Sequence, residues 1–159
     1  MPQWNRVPDF SAINTDFFER VHSVVWCSAA TVDAKGRPTS RMLHTIWELG
    51  RGAPAPTGWI ATRPTSPKAR DIAANPYVSL GYVQDVARPV YAECRASWAT
   101  ASPDRRHVWD LFKAAAPPLG YDPEPIFGSV DGPDFGVLRL EPWRIQLQDP
   151  DGTRRTWLR

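Results

Sequence analysis

The chain has 159 residues and a formal net charge of +2, from 19 Lys and Arg set against 17 Asp and Glu. A single domain of that length, spanning the whole chain, can bury about 70% of the surface its unfolded form exposes. The charges are interspersed without a basic tail or block, which argues against nucleic acid and membrane partners and leaves small anionic ligands open.

The start, Met1-Pro2-Gln3-Trp4-Asn5-Arg6, lacks a charged region leading into an apolar stretch. No apolar run approaches the ~20 residues that span a bilayer, so a cytoplasmic protein is expected. Asp9 to Ser23 reads as an amphipathic helix with Ile13, Phe17 and Val21 on one face, an N-terminal lid. Val24 to Val32 is apolar and β-branched enough for a strand, and the turn from Asp33 to Pro38 leads into a second strand, Thr39 to Leu49. Gly50 to Pro56 is a loop. Trp59 to Thr62 has strand length, breaks at Pro64, and is followed by a helix that opens at Ser66-Pro67 and ends at Asn75-Pro76.

Tyr77 to Val83 is a short buried strand. Pro89 to Ala101 is a longer one in which Val90, Ala92, Cys94, Ala96 and Trp98 alternate with polar residues and Tyr91. Ser102-Pro103 repeats the capping signature and opens a helix to about Ala116. The stretch from Pro117 to Asp134, rich in Pro, Gly and Asp, is a long connection of the kind that covers a site. Phe135 to Leu140 and Trp143 to Gln148 are strands, and the turn Asp149 to Gly152 leads into a last one, Thr153 to Leu158. About seven strands and three helices, with most strands joined by short loops, fit a mainly antiparallel β-barrel with two or three peripheral helices.

Chemistry gathers where the Trp59 strand meets the Ser66 helix. The hydroxyls of Thr62, Thr65 and Ser66, the cations Arg63, Lys68 and Arg70, and the free N–H groups of a helix N-terminus make a phosphate cradle. Taken alone, the same stretch also describes a capped surface helix with basic side chains. Cys27 and Cys94 lie in apolar runs with no His at metal-ligand spacing; they read as buried free thiols, and no metal site is expected. No nucleophile elbow, paired-His helix, Walker loop or dinucleotide fingerprint is present. Of the three histidines, His22, His44 and His107, only His44 sits near the cradle's chemistry, following Arg41 on the second strand.

The order of these residues resembles a known family. Gly36-Arg37-Pro38-Thr39-Ser40-Arg41-Met42-Leu43, then Ala61-Thr62, Ser66-Pro67-Lys68-Ala69 and Asn75-Pro76-Tyr77-Val78-Ser79-Leu80, are similar to the pyridoxamine 5′-phosphate oxidase-like FMN-binding split barrels, a superfamily that includes general stress proteins and deazaflavin-dependent reductases. Tyr91 to Trp98, the helix through Trp109, and Asp134 to Leu140 with Pro142 extend the resemblance. It implies an antiparallel split β-barrel acting as a homodimer with the cofactor between subunits. It implies an oxidoreductase that transfers hydride between FMN, or alternatively the deazaflavin coenzyme F-420, and a small-molecule substrate. Cofactor contacts would come from Arg41, Met42, Leu43, His44, Ala61, Thr62, Ser66 and Lys68. No catalytic acid or base is assigned; His44 and Tyr121 are the only candidates.

Departures matter as much. Where the family has the Lys that receives a substrate phosphate stands Ile46, and where it has an Arg before the cradle Lys stands Pro67. The family's Gln near the flavin edge falls at Pro89 or Val90, and its late Trp at Gln148. Efficient oxidation of pyridoxamine phosphate is therefore not expected, unless Arg105, Arg106 or Arg154 supplies a second cation. A non-catalytic flavin-binding or sensing protein is the alternative of another class.

Overall fold

Strict alternation of buried and open residues along Val90–Trp98 makes that segment a strand with one face inward, Val90, Ala92, Cys94 and Ala96 all being buried. The computed structural model describes residues 4–159 and builds on this strand a nine-stranded, mixed and unclosed sheet. In chain order the strands are β1 (Trp4–Arg6), β2 (Trp26–Val32), β3 (Pro38–His44), β4 (Ile46–Glu48), β5 (Thr57–Thr62), β6 (Tyr77–Tyr82), β7 (Val90–Trp98), β8 (Gly136–Gln148) and β9 (Arg154–Leu158). The helices are α1 (Asn14–Val24, after a 3-10 turn at Phe10–Ala12), α2 (Pro67–Ala74), α3 (Ser102–Ala114) and α4 (Glu124–Phe127). Among the described residues no helix is long and apolar enough to cross a membrane.

The main path runs β1-β9-β8-β7-β6-β2-β3, and every pairing is antiparallel except β1 with β9. The sheet forks at β8. Its first half, Gly136 to Leu140, pairs with β5, while its second half, Arg144 to Gln148, pairs with β9 along the same edge. The expected pair of strands on either side of Pro142 is thus one continuous strand of 13 residues. Pro142 is tolerated because the β7–β8 register shifts opposite it, between Glu93 and Cys94, where a missing N–H interrupts no regular ladder.

The expected single strand from Thr39 to Leu49 is instead two. The chain leaves β3 at fully buried Thr45 and enters β4, which pairs with β5, so the barrel is closed by chain continuity at Thr45 where hydrogen bonds do not close it. One element was not anticipated and one start is corrected. Strand β1 carries no alternation that would announce it and forms only because β9 offers an edge. Helix α3 starts one residue earlier than its Ser-Pro signature suggests, with Ala101 in the cap position and no side-chain cap bond.

Inside the barrel lies one apolar cluster, including Phe17, Cys27, Trp47, Leu80, Val90 and Leu138. Helix α1 supplies Phe17, whose ring meets Trp47 edge-on at 5.2 Å. The helix is fastened by ions as well, since Arg20 bonds Asp16 and Asp149 while Arg155 of β9 bonds the same two carboxylates. Those contacts hold Asp16 and Asp149 below the usual carboxylate range against the opposing effect of burial. A second cluster packs α3 and the connection after it onto β5 through Ile46, Trp59, Phe112, Phe127 and Phe135. Both cysteines are buried free thiols.

Candidate functional site

Of the residues expected to form a cradle, only part converge. Ser66 occupies the cap position of α2 with extended backbone, and Pro67 follows at the first helical position. Its hydroxyl does not cap the helix: Ser66 Oγ is buried and has no hydrogen-bond partner among the described residues. Such an orphan normally costs about 1–3 kcal/mol. Thr62 is buried at the end of β5. Lys68 is half-buried and pairs with no carboxylate among the described residues; burial, and then the Arg41 guanidinium, push its ammonium below the ordinary lysine range.

Arg41 reaches the same corner from β3. Opposite residues of an antiparallel pair share a face, and Arg41 faces buried Ala29. Its guanidinium donates to Thr31 Oγ1 at 2.6 Å and Thr39 Oγ1 at 2.8 Å, and lies 3.6 Å from Asp71 of α2. Arg63 turns the other way, donating to the Ile126 carbonyl at 2.8 Å and lying over the Phe127 ring, because strand alternation sends it opposite to Thr62. It does not belong to the cradle.

A second part of the site is a groove of about 360 Å3 bordered by Met42, Leu43, His44, Ala61 and, from the long connection, Pro118 and Tyr121. Leu43 and Ile60 also border a small apolar void lined by Lys68, so β3 and β5 carry residues of both groove and cradle. The eight residues expected to touch a cofactor therefore split into two groups. Arg41, Thr62, Ser66 and Lys68 form a polar corner, and Met42, Leu43, His44 and Ala61 border an uncharged groove. Trp26, Ile60, Ile126 and Phe127, which complete the border, carry no sequence signal that separates them from core residues.

His44 Nε2 lies 2.6 Å from the Leu119 carbonyl, which makes that nitrogen the protonated donor. Burial pushes the His44 imidazole down, only partly opposed by that carbonyl, and it is neutral at pH 7. The other histidines do structural work. His22 Nε2 accepts the Trp47 backbone N–H, and His107 binds Glu48, which also accepts from Trp59 Nε1. Ile46 is 3% exposed beside Trp59 and Val108, a position where no charge is tolerated. The candidate second cations are each engaged away from the groove: Arg105 with the Val130 and Gly132 carbonyls, Arg106 with Asp131, Arg154 over the Trp4 ring. Gln148 is held by Arg154 at the base of β8 and β9.

A family model described as pyridoxamine 5′-phosphate oxidase matches residues 15–149. No curated protein matches the chain. Among solved structures, a protein related to general stress protein 26, of the pyridoxinephosphate oxidase family, from Clostridium acetobutylicum is 13% identical over 92% of this chain and 94% of its own, with a TM-score of 0.70. A pyridoxamine 5′-phosphate oxidase-related, FMN-binding protein from Nostoc punctiforme is 16% identical over 92% and 87%, with a TM-score of 0.64. A heme-binding protein from Mycobacterium smegmatis is 18% identical over 87% of this chain and 55% of its own, with a TM-score of 0.62. At such identities the likeness shows the fold, a split β-barrel with peripheral helices.

Proposed function

Because the chain belongs to the pyridoxamine 5′-phosphate oxidase family, we propose that it is an FMN-binding oxidoreductase whose phosphate corner is Arg41, Thr62, Ser66 and Lys68. The observation that carries this reading is the orphaned, buried Ser66 hydroxyl beside an unpaired, partly desolvated Lys68. A phosphate dianion satisfies both, and the positive end of the α2 dipole favours it. When bound, the flavin supplies hydride transfer. The protein supplies the charge that holds the phosphate, the apolar border of Met42, Leu43 and Ala61 that excludes water, and a neutral His44.

The test is a titration of the purified protein with FMN and with coenzyme F-420, followed by absorbance and calorimetry, and then a turnover assay with pyridoxamine phosphate. FMN binds, and pyridoxamine phosphate is not oxidised efficiently, since the position of the family's substrate Lys is buried Ile46. Binding of F-420 with no uptake of FMN replaces the cofactor and keeps the corner; binding of neither sinks the reading. A non-catalytic flavin-binding role is the second reading. It is favoured by the groove's lack of a charged side chain, with burial pushing His44 toward its neutral form and raising the Tyr121 hydroxyl to about 12.

The proposal includes a second copy of the chain. Ser28, Ala30, Ser40, Ser79 and Gly81 share one face of β2, β3 and β6, a flat patch of small residues with exposed Trp26, Met42, Tyr77 and Tyr91 on the same face. Trp26 and Met42 also border the groove, so a partner on this face closes it. Sedimentation is expected to give a dimer burying more than ~1,200 Å2 in total. Ser28→Arg, a charge added at an exposed position, is expected to give a folded monomer with weakened FMN binding. A monomeric parent protein that binds FMN fully overturns the arrangement.

A further inference from the structure

The outward face of the sheet does not end with the small residues of β2, β3 and β6; it runs on into charge. Partners in neighbouring strands line up across this face in rows two residues apart. One row holds Ser40, Ala30, Ser79, Glu93 and Arg144. The next holds Pro38 and Val32 on β3 and β2, then Tyr77, Arg95 and Glu141 on β6, β7 and β8.

The two rows are opposites of each other in charge and in size. On β7 and β8 the first row reads negative then positive, Glu93 then Arg144, and the second reads positive then negative, Arg95 then Glu141. Glu93 and Arg144 are partly buried and joined at 2.8 Å, whereas Arg95 is exposed and has no ionic partner among the described residues. On β2, β3 and β6 the first row is Ala30, Ser40 and Ser79, all small. The second is Val32, Pro38 and Tyr77, all larger, with the Tyr77 ring 56% exposed.

Resting on the second-copy reading above, we infer that two copies pack these faces together about a two-fold axis that crosses β7 and β8 between the two rows. Such an axis lays each row on the other row of the partner. Glu93 meets the partner's Arg95 and Arg144 meets the partner's Glu141, each pairing being made twice, while Tyr77 stands over the partner's Ser79. An axis running along the strands between β7 and β8 also matches the charges, with Glu93 on the partner's Arg144. It carries β6 onto the partner's β9, however, and loses the match of large residues on small ones. The seam between the rows carries an apolar ring as well. Opposite the Glu93/Cys94 step β8 has one extra residue, and Trp143, 43% exposed, stands there between Glu141 and Arg144. A residue at a two-fold axis meets its own copy, and two indoles offset across the seam bury one another. The charges fix the orientation of the pair more than its affinity, because each must shed water to be paired.

Glu93→Arg and Arg95→Glu make the test, each alone and then mixed one to one, with sedimentation and native mass spectrometry reading assembly and circular dichroism reading the fold. Each variant alone sets like charges against each other twice and is expected to self-associate at least about 100-fold more weakly than the parent. The mixture is expected to form a one-to-one heterodimer within about tenfold of the parent affinity, since the all-positive face then meets the all-negative one, a result no misfolded variant gives. Trp143→Ala is expected to weaken the parent dimer about tenfold. Parent-like homodimers of either variant, a mixture that stays monomeric, an unchanged dimer for Trp143→Ala, or rescue of Glu93→Arg by Arg144→Glu in place of Arg95→Glu overturns this axis and leaves the second copy standing. A monomeric parent overturns both.

Discussion

Lys68→Ala is expected to weaken FMN binding by about 10- to 150-fold, the ~1.5–3 kcal/mol of a charge-assisted hydrogen bond to phosphate. Lys68 is singled out over Arg41 because Arg41 already donates to Thr31 and Thr39 and lies near Asp71, whereas Lys68 has no anionic partner among the described residues. Its charge is also costly to the free protein. With the ammonium pushed below its unfolded range, the unfolded chain binds more protons, so stability rises with pH between the lowered value and the ordinary lysine range. The variant should therefore unfold at the same temperature as the parent or slightly higher, which separates lost binding from lost folding. FMN affinity of the parent should fall as pH rises through the lowered lysine value. Arg63→Ala, removing a cation that faces away, is the control and should bind FMN as the parent does. An unchanged dissociation constant for Lys68→Ala returns Lys68 to the role of a surface cation.

Gly136→Ala is expected to cost about 3 kcal/mol of stability, at the upper end for overpacking, and to lower the melting temperature by roughly 6–12 °C. A Cβ at Gly136 would sit 2.6 Å from the Thr62 carbonyl oxygen, 2.7 Å from Pro64 Cγ and 2.8 Å from Trp98 Cζ3. Two of these belong to parts of the chain that cannot swing aside, since Thr62 pairs with Gly136 in the β5–β8 ladder and the Pro64 ring is rigid. The strain falls on the segment that leads into Ser66, so FMN affinity should drop together with stability. Gly50→Ala, where the new methyl group would meet only Ala53 Cβ at an ordinary 3.6 Å, is the matched control. Differential scanning calorimetry decides it, and equal melting temperatures for the two variants would show that β5 shifts freely.

Local chemistry made α2 readable: Ser66-Pro67 and Asn75-Pro76 punctuate both ends with residues whose backbone limits are intrinsic. The alternation in β7 was readable for the same reason, because burial on one face leaves a period of two. What escaped depends on distant partners. The break at Thr45 lies within an apolar run and is imposed by β4 pairing with β5, and the continuity of β8 through Pro142 depends on a register shift in β7. The polar corner followed from hydroxyls and cations at a helix start, although direction along a strand was overlooked in grouping Arg63 with Thr62. The groove's apolar border was not legible, since Ile60 and Phe127 carry the same signal whether they face a core or a ligand. His44 and Tyr121 drew notice only as the polar exceptions in that region.

The pairing of β1 with β9 and the Arg155 contacts of α1 also set a timetable. Strand β1 and the ionic clasp of α1 both find their partners in residues 149–158, made long after them. At about 5–20 residues per second, the N-terminal helix waits on the order of ten seconds on the ribosome before the strand that anchors it emerges. During that interval Phe17 and Val21, buried in the finished barrel, have only the strands already made, Trp47 of β4 among them, to pack against. The nascent chain is thus exposed to chaperones and to aggregation around α1, and completion of the barrel waits for β9.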